Sequence, residues 1–359
     1  MAGKPPKKKI DEFLRDTFVM TTAQLSLKYD RAASTIRDWK QWAKARDLDV
    51  GDGSGHYGGK VGEVYLEGIT PDYVDEMLPI DELWERAKSR QHEEQRRIER
   101  RDSQIIKLPN EPVAIGWLSD IHIGSPHVDY ESVHTDFQTI ANTWGFYGGF
   151  HGDLGDNWII GRLQAQARNQ RLSIQDEVRL GLNLLEILGP KLLWAVPGNH
   201  DNWEYVLTGR DSIAESLKGM KMLYDPHEVV FNLMVGDANW IVKVRHQWRG
   251  YSQFNDTHAI EKGWWFGGKT PFDIGVGGHT HTGTWCRPFH MHGKRRYAII
   301  TGTYKFDDGY ARRLGFKSTC GLGSGATVLT PNGDFVFFED VRFAAQYLTY
   351  LRQEWGAPT

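Results

Sequence analysis

Apolar runs of strand length, several of them closing on a short polar cluster, recur along the middle of this chain and set its architecture. Residues 113–118 lead into Asp120, residues 192–196 into Gly198, and residues 240–244 into His246. The runs over 146–150, aromatic and glycine-rich, and over 272–276, which is short, are less regular. Helical patterns lie between such runs, as over 176–188, and this alternation predicts an α/β architecture. Carboxylates and imidazoles at strand ends would gather where loops open onto solvent. In an extended chain residues i and i+2 point the same way, so Asp120 with His122, and His279 with His281, would each face one cavity. Further on, residues 326–338 form two apolar runs around Asn332-Gly333, which reads as a hairpin completing the second of two sheets.

The first hundred residues are patterned differently. Thr21-Thr-Ala-Gln24 reads as a capping box opening a helix through Tyr29. After a turn at Asp30-Arg-Ala, Ser34 is placed to cap a second helix running to about Arg46. Leu25, Tyr29, Ile36 and Trp39 supply the contacts between the two. Gly51-Asp-Gly-Ser-Gly-His-Tyr-Gly-Gly59 is a glycine-rich hinge without core-forming content. Residues 81–107 are helical in composition and crowded with charge, including Arg86, Lys88, Arg90, Arg96, Arg97, Arg100 and Arg101. Their apolar positions stop at Ala87 and resume at Ile98, so no heptad is sustained. A solvated connecting helix is expected, with arginines that would also suit a phosphate backbone.

Composition narrows the class. A chain of 359 residues has room for more than one unit, and 40% hydrophobic with 25% charged residues is ordinary for a globular protein. No run approaches the ~18 apolar residues of a membrane span. The basic start over 4–9 leads into Ile10-Asp-Glu rather than an apolar signal segment. Cys286 and Cys320 give no disulfide framework. A cytoplasmic protein without membrane contact is expected. The net charge of -3 does not itself suggest nucleic acid. Locally the first fifty residues carry eleven Lys/Arg against seven Asp/Glu, a net of +4.

Five polar clusters hold the candidate chemistry, in the order Asp120-Ile-His122, Gly152-Asp153-Leu-Gly-Asp156, Gly198-Asn199-His200-Asp201, His246 and Gly278-His279-Thr-His281. None contains cysteine, so the donors are carboxylate, amide and imidazole, a set that suits Mn, Fe or Zn better than a thiolate-seeking structural zinc. Two further histidine readings compete. His258 rivals His246 as the single histidine after a strand, and His290-Met-His292 repeats the His-x-His spacing outside the clusters. Asp156 and Asp201 also read as plain turn residues.

As an ordered set, spanning roughly residues 113–303, the clusters resemble the calcineurin-like metallophosphoesterases, whose pattern is D-x-H, G-D-x-x-D, G-N-H-D/E, H, G-H-x-H. The resemblance implies a four-layer αββα sandwich, two mixed sheets flanked by helices. It implies two divalent metal ions, manganese before iron or zinc. Asp120, His122 and His281 would hold one, Asn199, His246 and His279 the other, and Asp153 would bridge them. His200 would contact phosphate and protonate the leaving oxygen, oriented by Asp156, while Asp201 would fix the loop. Two such cations, roughly 4 Å apart, share a hydroxide at neutral pH and stabilise charge on both attacking and leaving oxygens.

The N-terminal helix pair resembles a helix-turn-helix, with Ser26 at the usual small-residue position and Thr35-Ile36 opening the recognition helix. It departs from the pattern at Asp30, where glycine is usual, and at Arg31, where an apolar residue is expected. Arg37, Lys40, Gln41 and Lys44 are the candidate DNA contacts. The expected division is a helix-turn-helix at 1–50, hinge and connecting helix at 51–107, the metallophosphoesterase domain at 108–345 and a tail at 346–359.

Protein phosphatases of this superfamily carry Arg after G-D-x-x-D and Glu after G-N-H; here Asn157 and Asp201 stand in those places, which disfavours a phosphoprotein substrate. A DNA-binding arm tethered to the site, with basic residues at Arg162, Arg168 and Arg171, favours a DNA nuclease similar to the repair-nuclease branch. Two-part chains of this kind resemble metallophosphoesterases of bacteriophage and prophage origin. Two alternatives stay open: a small-molecule or nucleotide phosphoesterase whose N-terminal module binds protein, and a DNA-binding protein with weak catalytic activity.

Overall fold

In the computed structural model the described residues are 5–6, 9–48, 50, 78–101, 104–160, 167–168, 170, 172–250, 252, 254–266, 271–306 and 323–359. The glycine-rich hinge at 51–59, Arg162, Arg171 and Cys320 lie outside them. The chain divides into two compact units, Met1–Leu83 and Trp84–Thr359.

In the first unit α1 (Ile10–Val19), α2 (Thr22–Tyr29) and α3 (Ala33–Lys44) enclose a small aromatic core. The capping box forms as expected: the Gln24 amide donates to Thr21 Oγ1 at 3.3 Å, and the Thr21 amide donates to Gln24 Oε1 at 2.8 Å. Asp30 ends α2 in the left-handed region at φ 49°, the conformation glycine would supply and aspartate tolerates. Two expectations are corrected. Helix α3 starts at Ala33 with Ala32 at its N-cap, without a side-chain cap from Ser34, and ends at Lys44 rather than Arg46. Helix α1, absent from the sequence reading, supplies Phe13, which meets Trp39 edge-on at 5.3 Å and Tyr29 at 5.6 Å. Arg31 is exposed.

The charged segment forms α4 (Ile80–Arg101). The helix does not continue to Lys107. Residues Gln104–Leu108 are instead strand β1, whose period-2 pattern turns Ile106 and Leu108 toward a core.

Two mixed six-stranded sheets follow among the described residues. The first runs in the order β12-β11-β2-β3-β4-β5, from β2 (Val113–Leu118), β3 (Phe146–Phe150), β4 (Leu192–Ala195), β5 (Leu223–Tyr224), β11 (Gly325–Leu329) and β12 (Phe335–Phe338). The second runs β1-β6-β7-β8-β10-β9, adding β6 (Val229–Val235), β7 (Ala238–Val244), β8 (Ile274–Gly277), β9 (Trp285–Met291) and β10 (Lys294–Ile300). Strand β2 is buried along its whole length, as a central strand covered on both faces must be. Its inward side chains Ile115 and Trp117 meet Trp194, Phe231, Val242 and Val276 between the sheets. The outer face of the first sheet is covered by α5 (Tyr130–Asn142), α6 (Ile174–Leu188) and α10 (Val341–Glu354), and that of the second by α9 (His258–Phe266). This is the αββα sandwich expected of the chain. The glycines that made 146–150 look irregular have a packing role: a Cβ on Gly149 would lie 1.9 Å from the Trp194 ring. Among the described residues no helix is long and apolar enough to cross a membrane.

Two further expectations fall. The Asn332-Gly333 hairpin forms, but β11 pairs antiparallel with β2, so it extends the first sheet rather than completing the second. Residues 346–359 are no tail, because most of them continue α10. The spacing of Val341, Ala344, Ala345 and Leu348 makes a buried stripe. The buried Arg352 donates to Pro112 O at 2.8 Å and to Glu111 Oε1 at 2.7 Å.

Leu348→Ala should therefore cost about 2–5 kcal/mol in denaturant unfolding, where a true tail position would cost nothing measurable. Asp136, on α5, is buried beneath the Tyr304 hydroxyl, which donates to it at 2.9 Å, and burial pushes its carboxyl up to about 6. A folded-state value above the unfolded one favours the neutral acid, so this contribution is present below about pH 4 and lost as pH rises through 6. Asp136→Asn should stabilise the protein by roughly 1–3 kcal/mol at pH 7.5 and much less at pH 4.5, read from unfolding curves at both pH values.

Candidate metal centre

Strands β2, β3 and β4 of one sheet and β7 and β8 of the other each deliver one of the five clusters from their C-terminal ends. The loops that follow are not extended, contrary to the i, i+2 expectation. Asp120, His122, Asp153, His279 and His281 all lie in the left-handed region, with φ between 53° and 71°. Such backbone in residues with a Cβ is costly and persists where the surroundings over-determine it. Here they do. The Asp120 amide donates to Gly152 O at 2.8 Å, the Ile121 and His122 amides donate to Asp153 O at 2.9 and 3.1 Å, and the His279 amide donates to the Asp120 carboxylate at 3.0 Å. The clusters from both sheets are thus tied into one frame.

Within it the ligand atoms of Asp120, His122, Asp153 and His281 lie within 4.8 Å of one another, as do those of Asp153, His246 and His279. Asp153 belongs to both groups. Asn199 joins the second, its Oδ1 3.1 Å from His246 Nε2. The pairing of ligands anticipated from the motifs is therefore assembled in space. His246 lies in the second group, whereas its rival His258 is exposed at the start of α9 and belongs to neither. His290 and His292 are exposed on the β9–β10 hairpin, also outside them.

Buried charge shapes this frame. Burial works against ionisation of Asp120 and Asp153, yet the facing histidines, His246 foremost, hold both carboxyls below the usual range. His246 is driven the other way: burial would lower it, but Asp153 and Asp120 raise it to about 10. Burial pushes His122 down to about 3, with the Lys305 ammonium adding to the effect. His281 Nε2 lies 3.0 Å from Asp120 Oδ1 and 2.9 Å from His122 Nε2, so imidazole nitrogens and a carboxylate crowd toward one point. Among the described residues the buried Nδ1 atoms of His279 and His122 have no hydrogen-bond partner. Carboxylate oxygens and imidazole nitrogens converging in this way are the donor set of a borderline divalent cation, and these residues fit such ions, whose binding would displace the proton held on His246.

The third motif opens α7 (Asn199–Thr208). From this helix N-terminus the His200 amide donates to Asp153 Oδ1 at 2.9 Å, complementing the anion. The Asp201 carboxylate accepts from the amides of Gly198, Asp153 and Leu154 at 2.7, 2.8 and 3.0 Å, tying the second and third motifs together. It takes no part in either ligand group.

Asp156 requires a correction. Its carboxylate lies within 4.8 Å of a His200 ring nitrogen but makes no hydrogen bond to it among the described residues; Oδ1 lies 2.9 Å from His122 Nδ1 and accepts from Lys305 Nζ at 2.7 Å. The contact with His200 is made by the backbone oxygen of Asp156, 2.5 Å from Nδ1. The reason is the tight loop, which turns the Asp156 side chain toward β2 and its carbonyl toward α7. With Nδ1 donating to that carbonyl, Nε2 of His200 is the ring nitrogen this contact leaves unengaged.

Sequence reasoning missed Lys305, which follows the last motif and carries no local signal. It also missed Trp158 and Trp203, whose rings lie 4.8 and 4.1 Å from that of His200. Their positions beside motif residues were the available hint. On α3 of the first unit Arg37, Gln41 and Lys44 are exposed and Lys40 is half-buried.

No protein-family model and no curated protein matches the chain. Solved structures similar to it include a metallophosphoesterase from Sphaerobacter thermophilus, at 20% identity over 68% of this chain and 95% of that one, with a TM-score of 0.34. The calcineurin-like phosphoesterase YfkN from Bacillus subtilis is 11% identical over 68% of this chain and 96% of that one, with a TM-score of 0.32. Vps29 from Chaetomium thermophilum is 12% identical over 63% and 93%, with a TM-score of 0.31.

The frame leaves no space at Gly198, where a Cβ would lie 2.1 Å from Asp153 Oδ1 and 2.4 Å from its backbone nitrogen. Gly198→Ala should displace the shared carboxylate and lower divalent-metal content, measured by elemental analysis of protein dialysed against manganese. Content equal to wild type would contradict the close packing of the two loops.

Proposed function

We propose that this chain is a dinuclear-metal phosphoesterase that hydrolyses phosphodiester bonds of DNA. The observation that carries the chemistry is Asp153, shared by two ligand groups beside His200. When bound, divalent cations supply Lewis acidity and a nucleophilic water at neutral pH. The residues supply the rest. Asp153 places its carboxylate between the two groups, and Asn199 adds a neutral oxygen that leaves its ion more electrophilic. His200, fixed through Nδ1, offers a proton from Nε2 to the leaving oxygen.

The choice of DNA rests on the first unit, where the residues proposed to meet the groove lie along α3, and on Asn157 and Asp201 in place of the phosphatase residues. Asn157 serves the frame instead, donating from Nδ2 to His200 O at 2.8 Å. Manganese, a helix-turn-helix role for α2 and α3, and a place in the repair-nuclease branch of phage type belong to the same reading.

His200→Ala should keep both ions and lose about 100-fold or more in turnover, whereas Asp153→Ala should lose the ions. Substituting Arg37, Lys40, Gln41 and Lys44 by Ala together should raise the KM for labelled single- or double-stranded DNA while leaving hydrolysis of bis-p-nitrophenyl phosphate unchanged. Hydrolysis of that small diester with manganese but no cleavage of DNA would sink the nuclease reading and favour a small-molecule phosphodiesterase.

A further inference from the structure

Lys305 is a lysine in a place lysine avoids. Its side chain is 5% exposed, and the partner carboxylate of Asp156 is 4% exposed. A buried ammonium is retained only where an anion faces it closely. The anion here is specific. One oxygen, Asp156 Oδ1, lies 2.7 Å from Lys305 Nζ and 2.9 Å from Nδ1 of His122, itself 1% exposed. The backbone around Lys305 belongs to the same frame, since Thr303 Oγ1 donates to Asp120 O at 2.8 Å and the Lys305 amide donates to Thr303 Oγ1 at 3.2 Å.

Resting on the reading of Asp120, His122, Asp153 and His281 as one metal site, we infer that Lys305 is a positioning residue for that site, acting through Asp156 on the imidazole of His122. A carboxylate oxygen 2.9 Å from Nδ1, outside hydrogen-bond geometry but close enough to attract a proton there, favours the tautomer protonated on that nitrogen and leaves the Nε2 lone pair facing His281 and Asp120. The carboxylate performs this service only while its own rotamer is fixed. Lys305 fixes it, by occupying the same oxygen from the other side and supplying the buried counter-charge. Without the ammonium, Asp156 is an uncompensated buried anion, free to swing to other donors, and His122 loses its bias.

The effect should fall on one ion of the two, because His122 belongs to the first ligand group and not to that of Asp153, His246 and His279. The test uses full-length protein stripped of metal and titrated with Zn²⁺ by calorimetry, with bound stoichiometry checked by elemental analysis. Lys305→Met should weaken one of two binding steps about tenfold and leave the other unchanged. In ¹⁵N imidazole spectra of the metal-free protein, His122 should change from a single Nδ1–H tautomer to a mixture, a change that loss of general stability would not produce. Asp156→Asn should weaken the same step, and adding Lys305→Met to it should bring no further loss. If Lys305→Met does not fold, Lys305→Gln carries the same measurements.

Two unaltered binding steps, an unaltered His122 tautomer, or losses that add in the double variant would overturn the inference. Wild-type protein that binds no divalent ion would overturn the metal reading as well, so the two failures are distinct.

Discussion

The geometry at the mouth of the sandwich depends on one constraint, the ladder of backbone hydrogen bonds between the loop after β2 and the loop after β3. It holds Asp120, His122 and Asp153 in left-handed backbone that none of them would adopt alone. Because Asp153 lies inside that ladder, its carboxylate has little freedom, and the N-terminus of α7 is built against it while the loop after β8 is tied to Asp120. The Asp201 carboxylate closes the arrangement from behind with three amide donors. A pre-shaped cage of this kind spends folding energy on geometry rather than on stability, as a site that must present several donors at once requires.

Much of this was legible in the sequence, for identifiable reasons. Ligand identity is a property of side chains, so the seven proposed ligands could be read from residue type and order, and they do converge. The capping box at Thr21 and Gln24 is local and was equally readable. What escaped reading is of two kinds. The apolar spacing of β1 and of α10 is present in the sequence, but it follows a charged helical pattern in one case and lies beyond the motifs in the other, whereas the loop shapes and Lys305 depend on distant partners. The left-handed loops look extended to any argument from strand periodicity. Asp156 meets His200 through its backbone oxygen and His122 through its carboxylate; which of its oxygens faces which ring depends on loop shape, not on spacing. Lys305 illustrates the limit most clearly, since its only signal is the carboxylate 149 residues earlier in the chain.

The rings around His200 set its environment. Trp158 and Trp203 pack against each other with centroids 5.5 Å apart and against the imidazole, while His122 approaches edge-on at 4.8 Å. Aromatic rings on two sides hold the imidazole in one orientation.

The pairing of β2 with β11 has a bearing on how this protein comes to exist. Trp117 donates from Nε1 to Thr327 Oγ1 at 2.9 Å, across 210 residues of sequence. During synthesis β2, apolar on both faces, can gain β3 early but must wait for β11 with one edge open. An open apolar edge during that interval invites pairing with other chains, so slow translation or a truncated product would show itself first as aggregation. The strand that leads into the Asp120–His122 loop is therefore also the one most exposed while the chain is unfinished.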